Sequence, residues 1–213
     1  MRAVVLFLIL ATQPGAALAG AWSRDAGEGF ASLQYLAADG EMPAFVSGYL
    51  DVGLGGNFGF GLEGGGSRGS EKFGRAVLSY HFTVESLRAS VSGTYGWRWD
   101  LGAGEGEEAR AGLHLGADLP RAGWTAADLT TAYRAAAGET ITKLDITGGW
   151  RDGAGRGWVL QLQGRSDGVQ ESAALVPSVL LPLGAHANLE LGAKAGIWND
   201  MRRSLLIGTW LEF

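Results

Sequence analysis

The sequence predicts an all-β protein: a transmembrane, antiparallel, up-and-down β-barrel of about twelve strands that follows a cleaved signal peptide. Apolar and polar residues alternate along most of the chain with the two-residue period of a strand. Aromatic residues recur at the ends of the alternating segments. Glycine makes up 36 of the 213 residues and cysteine is absent, a composition that is typical of barrel strands and offers no disulfide framework.

Residues 1–19 are organised like a secretory signal peptide. Arg2 precedes the apolar run 3–11, and a small-residue A-x-A site closes the segment. Because the apolar run is too short to span a bilayer as a helix, we expect cleavage before Gly20. The rest of the chain, 20–213, is then expected to be a single barrel domain, since no later apolar run reaches the length of a transmembrane helix.

Twelve segments show the alternation, and most are long enough to cross a bilayer as tilted strands. They are 27–37, 44–54, 58–66, 72–81, 87–97, 109–117, 124–135, 141–151, 158–165, 172–181, 187–198 and 203–213. An even number of antiparallel strands returns the chain to the rim where it began. Both chain ends are therefore expected at one rim, the periplasmic one.

The first four segments each pair an apolar face with a face of polar or small residues. Leu33 and Tyr35 alternate with Ser32 and Gln34 in the first segment, and the next three follow the same rule. Turn-forming residues separate them, beginning with the Asp-Gly pair at 39–40. These four segments therefore predict two successive hairpins.

The fifth segment, 87–97, has the most regular alternation, with Val91 and Tyr95 on one face and Arg88 and Ser92 on the other. The residues after it, 100–107, are rich in Gly and Glu and are predicted to form the longest polar loop. Segments six to eight return to strand alternation, separated by short turns that contain Gly.

The last four segments follow glycine-rich or Asp-Gly turns, the clearest of which is 152–157. Pro177 interrupts the tenth segment, and proline within a strand favours an edge or a bulge. The strand count therefore lies between ten and twelve. The final segment, 203–213, alternates without a break and ends at Phe213.

Aromatic residues predict two belts at the membrane interfaces, since a soluble sandwich would bury its aromatics near the strand centres. One belt is predicted to contain Tyr35, Tyr95, Trp97, Tyr133 and Trp198. The other is predicted to contain Phe58, Tyr80, Phe82, Trp124, Trp150, Trp158, Trp210 and Phe213.

The stretch 20–30, Gly-Ala-Trp-Ser-Arg-Asp-Ala-Gly-Glu-Gly-Phe, resembles the GAW…GEGF opening of small outer-membrane barrel proteins of Gram-negative bacteria. The closing Phe213 is similar to the terminal phenylalanine that the barrel-assembly machinery reads in such proteins. This resemblance implies a bacterial outer-membrane location, with lipid and the assembly machinery as partners and Phe213 as the assembly signal. It implies no substrate and no catalytic residue.

Catalytic and cofactor-binding patterns are not evident. The three histidines have no metal-ligand spacing, no basic cluster favours nucleic acid, and the glycine-rich segments do not precede helices. Outer-membrane lipid hydrolases place a serine two residues after their histidine, and here Gly116 follows His114 at that spacing. We therefore expect a protein without enzyme activity, cofactor or metal.

Charged residues are predicted to line the interior. Those on segments four to nine carry a net charge of about +4, and those on the remaining segments carry about −4. The predicted lumen-lining residues are Arg75, Arg88, Arg110, His114, Arg134, Lys143, Asp145, Arg165, Asp51, Glu63, Glu190 and Lys194.

Two functions stay open, because twelve strands leave more interior space than eight but less than a large porin. The leading hypothesis is a narrow passive channel for small polar solutes. The alternative is a structural or interaction barrel whose lumen is plugged by charge pairs, and a lipid hydrolase is a distant third.

Overall fold

Twelve antiparallel strands form one closed barrel in the computed structural model, which describes residues 20–38, 44–102 and 104–213. The strands are β1 (Gly29–Ala38), β2 (Phe45–Gly55), β3 (Phe58–Ser67), β4 (Glu71–Val84), β5 (Leu87–Asp100), β6 (Gly104–Leu119), β7 (Gly123–Arg134), β8 (Glu139–Arg151), β9 (Gly157–Ser166), β10 (Glu171–Pro182), β11 (Ala187–Trp198) and β12 (Arg203–Glu212). The predicted fold class and the count of twelve strands are confirmed. The predicted signal peptide and the turn 39–40 lie outside the described residues.

The barrel closes between its first and last strands. β1 pairs with β12 in an unbroken register from Phe30 opposite Glu212 to Ala38 opposite Ser204. The Gly29 amide donates to the Phe213 carbonyl at 2.6 Å, and the Phe213 amide donates to the Gly29 carbonyl at 3.0 Å. We call the rim where β1 begins and β12 ends the terminal end, and the opposite rim the far end.

Short turns join the strands at both ends. In the turn between β9 and β10, the Asp167 carboxylate accepts hydrogen bonds from the Gln170 and Val169 amides at 2.8 and 3.1 Å. These amides lower the pKa of Asp167. Within the described part of the chain, no helix is long and apolar enough to cross a membrane.

The outer face of the barrel is an apolar band. Val91, in the middle of β5, is 45% exposed, whereas its neighbour Ser90 faces inward and is fully buried. The same alternation exposes leucine, isoleucine or valine on nearly every strand. An apolar band around a closed barrel, with no open sheet edge, is the arrangement that a lipid bilayer requires.

Aromatic side chains flank this band, with two exceptions to the predicted belts. Trp150 and Trp158 stack on the outer face at a centroid distance of 6.2 Å near the terminal end, and Tyr133 is exposed near the far end. Trp124 and Trp210 were assigned to the belts wrongly. They occupy inward positions on β7 and β12, where one is buried in an apolar cluster and the other packs against it.

Pro177 lies within a strand. Its side chain is exposed, and its backbone lies opposite Leu160 of β9 without interrupting that register. On the other side, toward β11, the pairing passes from Leu175 opposite Ala195 to Ser178 opposite Gly192, and Val176 and Pro177 are not paired. The barrel therefore accommodates this proline with an irregularity on one side only.

The predicted polar loop 100–107 is wrong, because most of it belongs to strands. β5 continues to Asp100 and β6 begins at Gly104 and runs for 16 residues. On the outer face the Trp97 indole donates to Glu105 at 2.7 Å. Since both faces of the β6 half of this hairpin carry only Gly and Glu at 104–108, apolar-polar alternation cannot reveal it as strand.

Candidate functional site

The lumen is the candidate site, and its terminal half is filled. Residues 20–24 precede β1 and fold into the barrel, where Ala21 is 1% and Trp22 is 8% exposed. The Ser90 hydroxyl donates to the Gly20 carbonyl at 2.6 Å. The Arg24 guanidinium pairs with Asp51 at 2.9 Å. We call residues 20–24 the N-terminal plug segment.

Apolar side chains from several strands surround this segment. They form one cluster that extends across the lumen, because its members come from the plug segment and from strands β7, β9 and β10. The cluster consists of Ala21, Trp22, Trp124, Ala126, Val159 and Leu180, with Trp210 of β12 packed against it. This part of the lumen is therefore packed with apolar side chains.

Two glycines of the wall make room for the segment. A Cβ added at Gly116 would lie 2.3 Å from the Trp22 ring, and one added at Gly53 would lie 2.3 Å from the Asp25 carbonyl. Both distances are shorter than real Cβ contacts. The Trp22 indole also donates to Asp118 at 3.3 Å. The wall thus fits the plug segment closely.

A serine, a histidine and an aspartate form a hydrogen-bonded chain beside the plug segment. His114 Nδ1 lies 2.7 Å from Asp128 Oδ1, and His114 Nε2 lies 2.9 Å from Ser92 Oγ. If Nδ1 carries the proton for Asp128, then Nε2 accepts the proton of Ser92. The same order of groups occurs in serine hydrolases. Sequence spacing missed Ser92 because it lies on the neighbouring strand rather than two residues along.

The far half of the lumen has an ion-pair wall on β3 to β7. Its centre is the buried carboxylate of Glu108, which lies 2.9 Å from Arg75, 3.2 Å from Arg134, 3.4 Å from Arg110 and 3.8 Å from Arg98. Further carboxylates complete the wall by pairing with these arginines. They are Glu63 with Arg75 and Arg110, Glu71 and Asp100 with Arg98, and Glu139 with Arg134.

The predicted charge of about +4 on this side is therefore wrong. That count includes Arg75, Arg110 and Arg134 but omits Glu108 and other carboxylates that pair with them. They lie in the predicted loop 100–107 or just outside the predicted segments, and β6 begins at Gly104, five residues before the predicted segment 109–117. Of the other predicted cations, Arg88 pairs with Asp118 at 2.8 Å, and both side chains are about half exposed.

The adjoining part of the far half of the lumen, on β8, β9 and β11, is an open wall. Lys143 and Arg165 lie directly opposite each other in the β8–β9 register, and both are exposed. No carboxylate oxygen of a described residue lies within 4.0 Å of either cation or of Lys194. Asp145 lies next to Lys143 on the inner face of β8, opposite Gln163.

Glu190 joins the open wall to the apolar cluster. Its carboxylate is 4% exposed and accepts hydrogen bonds from Ser178 at 2.8 Å, from Trp210 at 2.9 Å and from Gln34 at 3.1 Å. These three donors come from β10, β12 and β1. The carboxylate therefore ties the closing strands together on the inner face, where we predicted it to line the lumen.

The fold and its interior define a twelve-stranded antiparallel barrel with a polar vestibule at one end. No family model matches the sequence, and no curated protein matches it. Comparison with solved structures finds the KdgM porin, at a TM-score of 0.65 and 9% identity, covering 86% of this chain and 99% of the porin. The NanC porin is similar at a TM-score of 0.66 and 9% identity, over 86% of this chain and 100% of the porin.

A KdgM porin in complex with disordered oligogalacturonate is similar as well. Its TM-score is 0.66 at 9% identity, with 86% of this chain and 99% of that chain covered. At such low identity the likeness concerns the fold alone.

Proposed function

We propose that this protein is an outer-membrane channel for small polar solutes and that its vestibule favours anions. The observation that carries the proposal is the facing pair Lys143 and Arg165. Like charges directly opposite in a sheet destabilise it. Two cations at one register, with no described carboxylate oxygen within 4.0 Å of either, therefore support a role outside folding. Cations that line a narrow lumen raise the local concentration of anions.

The KdgM comparison supports the same class of solute. That porin was solved with oligogalacturonate, which is a chain of acidic sugars. A small anionic sugar or carboxylate would match the cations of the open wall. The adjoining ion-pair wall would present a surface whose charges are already compensated.

Recording from the purified protein in planar bilayers under a salt gradient tests the channel. We expect discrete conductance steps and a reversal potential on the anion-selective side. If neither the full-length mature protein nor a variant without residues 20–24 conducts, the channel proposal fails. The filled terminal half would then favour a structural or interaction barrel.

Location and assembly belong to the same proposal. We propose that residues 1–19 are removed as a signal peptide, and that the mature protein fractionates with outer membranes and shifts position in gels on heating. Phe213→Ala should reduce membrane insertion far more than Glu212→Ala, because the Phe213 ring is exposed to lipid whereas Glu212 faces the lumen rim. Recovery of the protein in the soluble periplasm would contradict this location.

The chain of Ser92, His114 and Asp128 favours ester hydrolysis as a second candidate function. A fluorophosphonate probe forms a covalent bond with a serine that such a chain activates. Hydrolase activity predicts that the probe labels Ser92 and that His114→Gln abolishes the labelling. Ser79 is a matched control, because it contacts His81 at 3.0 Å without a comparable aspartate. Absence of labelling at Ser92 would exclude this candidate.

A further inference from the structure

The N-terminal plug segment is held by side-chain contacts and lies outside the strand ladder. Gly20, Trp22 and Arg24 each have one polar partner, supplied by β5, β6 and β2. The first backbone hydrogen bond between this part of the chain and the wall joins the Gly27 amide to the Gly53 carbonyl at 2.9 Å. Residues 20–24 could therefore leave the lumen without breaking any strand pairing.

The wall is built for the chemistry of this particular peptide. A Cβ added to Gly20 would lie 2.6 Å from His114 Nδ1, so only glycine fits there. Ala21 is fully enclosed, and Trp22 occupies the space that Gly116 leaves open. Arg24 reaches Asp51 at the rim and lies over the Phe30 ring at 5.1 Å.

Processing before Gly20 would add a charge at the innermost point of this site. The same built Cβ of Gly20 lies 3.0 Å from Asp128 Oδ1, so the α-carbon is beside that carboxylate. Cleavage converts the Gly20 nitrogen from an uncharged amide into an α-ammonium group. Asp128, which otherwise contacts His114, is the anion placed to bind it.

We propose that the terminal half of the lumen is a binding site for the chain's own mature N-terminus, and that this peptide is a removable plug whose departure opens the channel. The site recognises four features of the peptide. They are the free ammonium group of Gly20, the small side chain of Ala21, the indole of Trp22 and the guanidinium of Arg24. This inference rests on the proposed channel function, because only a channel has a flow to block. The occupancy of the site can nevertheless be measured without conductance.

Thiol labelling measures that occupancy, since the sequence has no cysteine of its own. Ser90→Cys places one thiol at a fully buried position whose native hydroxyl contacts the Gly20 carbonyl of the plug segment. With the segment present, we expect a membrane-impermeant thiol reagent to react slowly. With residues 20–24 deleted, we expect at least a tenfold faster reaction. Equal rates in both proteins would overturn the proposal.

Substitution of the wall tests the same site with the N-terminal sequence intact. Gly116→Ala puts a methyl group into the Trp22 ring and should increase both labelling of the Ser90→Cys thiol and conductance. Gly148→Ala is the matched control, because a Cβ at Gly148 meets nothing within 4 Å. If Gly116→Ala labels no faster than this control, Trp22 does not seal the lumen and the proposal fails.

Adding the peptide to the variant without residues 20–24 distinguishes the contribution of the ammonium group to binding from that of the side chains. Gly-Ala-Trp-Ser-Arg with a free amino group should protect the Ser90→Cys thiol in the deletion variant and lower its conductance, whereas the N-acetylated peptide should bind at least tenfold more weakly. Equal binding of the two peptides would overturn the role of Asp128.

The deletion variant also distinguishes failure of the plug from failure of the channel. Faster thiol labelling without any conductance would support the plug and reject the channel. Equal labelling and equal conductance in the proteins with and without residues 20–24 would reject only the plug.

Discussion

The two walls of the vestibule are built from the same kinds of charged residue but differ in how their charges are paired. On the ion-pair wall, the strand register places Glu63 opposite Arg75 and Glu108 opposite Arg134. On the open wall, the register places Lys143 opposite Arg165. The charges of the first wall therefore form ion pairs between strands, whereas like charges lie opposite each other on the second.

This difference shows that the charge of a wall depends on register more than on the number of cations. Four arginines on the ion-pair wall present little net field, because the carboxylate oxygens of Glu108 and its neighbours lie about 3–4 Å from them. The open wall carries Lys143, Arg165 and Lys194, and no carboxylate oxygen of a described residue lies within 4.0 Å of these three cations.

Removal of the central carboxylate of the ion-pair wall should have the largest effect on stability. Glu108→Gln leaves four guanidinium groups without their shared partner, and loss of one member of a buried ion pair costs about 3–5 kcal/mol. Urea unfolding in lipid vesicles measures this cost. Glu107→Gln, on the exposed outer side of the same strand, should cost less than about 1 kcal/mol. Similar costs at the two positions would show that the ion pairs of Glu108 do not contribute more to the unfolding free energy than an exposed carboxylate does.

A charge placed on the outer face should lower the unfolding free energy equally on a strand of the ion-pair wall and on a strand of the open wall. Val91→Arg on β5 and Leu162→Arg on β9 each place a cation in the apolar band, at a cost of about 2–4 kcal/mol near the bilayer midplane. The same unfolding measurement applies. A large cost at one position and none at the other would mean that only one of these strands faces lipid.

Neutralisation of the open wall should change selectivity and slightly increase stability. Lys143→Gln with Arg165→Gln removes like charges that face each other, which should stabilise the sheet by about 0.2–1 kcal/mol. The preference for anions should fall roughly twofold or more, because the local positive potential is lost. Reversal potentials measure the preference, with the exposed outward Lys72→Gln as control. Unchanged selectivity would remove these cations from the solute path.

The smallest effect is expected at the exposed pair of Arg88 and Asp118. Both side chains are about half in solvent, and exposed pairs contribute about 0–1 kcal/mol. A double-mutant cycle with Arg88→Gln and Asp118→Asn measures their coupling. Arg88 is predicted to line the lumen, and its pairing with Asp118 compensates its charge. Coupling well above this range would show that Asp118 is held more rigidly than its exposure indicates.

Local patterns predicted the strands because lipid imposes a simple rule on each residue. Val91 must be apolar and Ser92 can be polar, whatever the remainder of the chain does, so the two-residue period is visible in any single strand. The requirement for apolar residues at outward positions no longer holds where a strand extends beyond the apolar band. Glu105 and Glu107 lie on the outer face of β6 beyond the apolar band, and their strand was therefore predicted to be a loop.

The interior could be predicted only as a set of inward positions, since nothing local specifies their partners. The sequence by itself determined the alternation that places His114, Lys143 and Glu190 on the inner face, but it did not reveal that Trp124 and Trp210 face inward as well. Only the tertiary structure decided that His114 contacts Ser92 and Asp128, which are 22 and 14 residues away, and that Trp22 fills the lumen 94 positions before Gly116. The register between strands depends on the closed barrel as a whole. So does the path of the N-terminal plug segment, which lies outside the strand ladder.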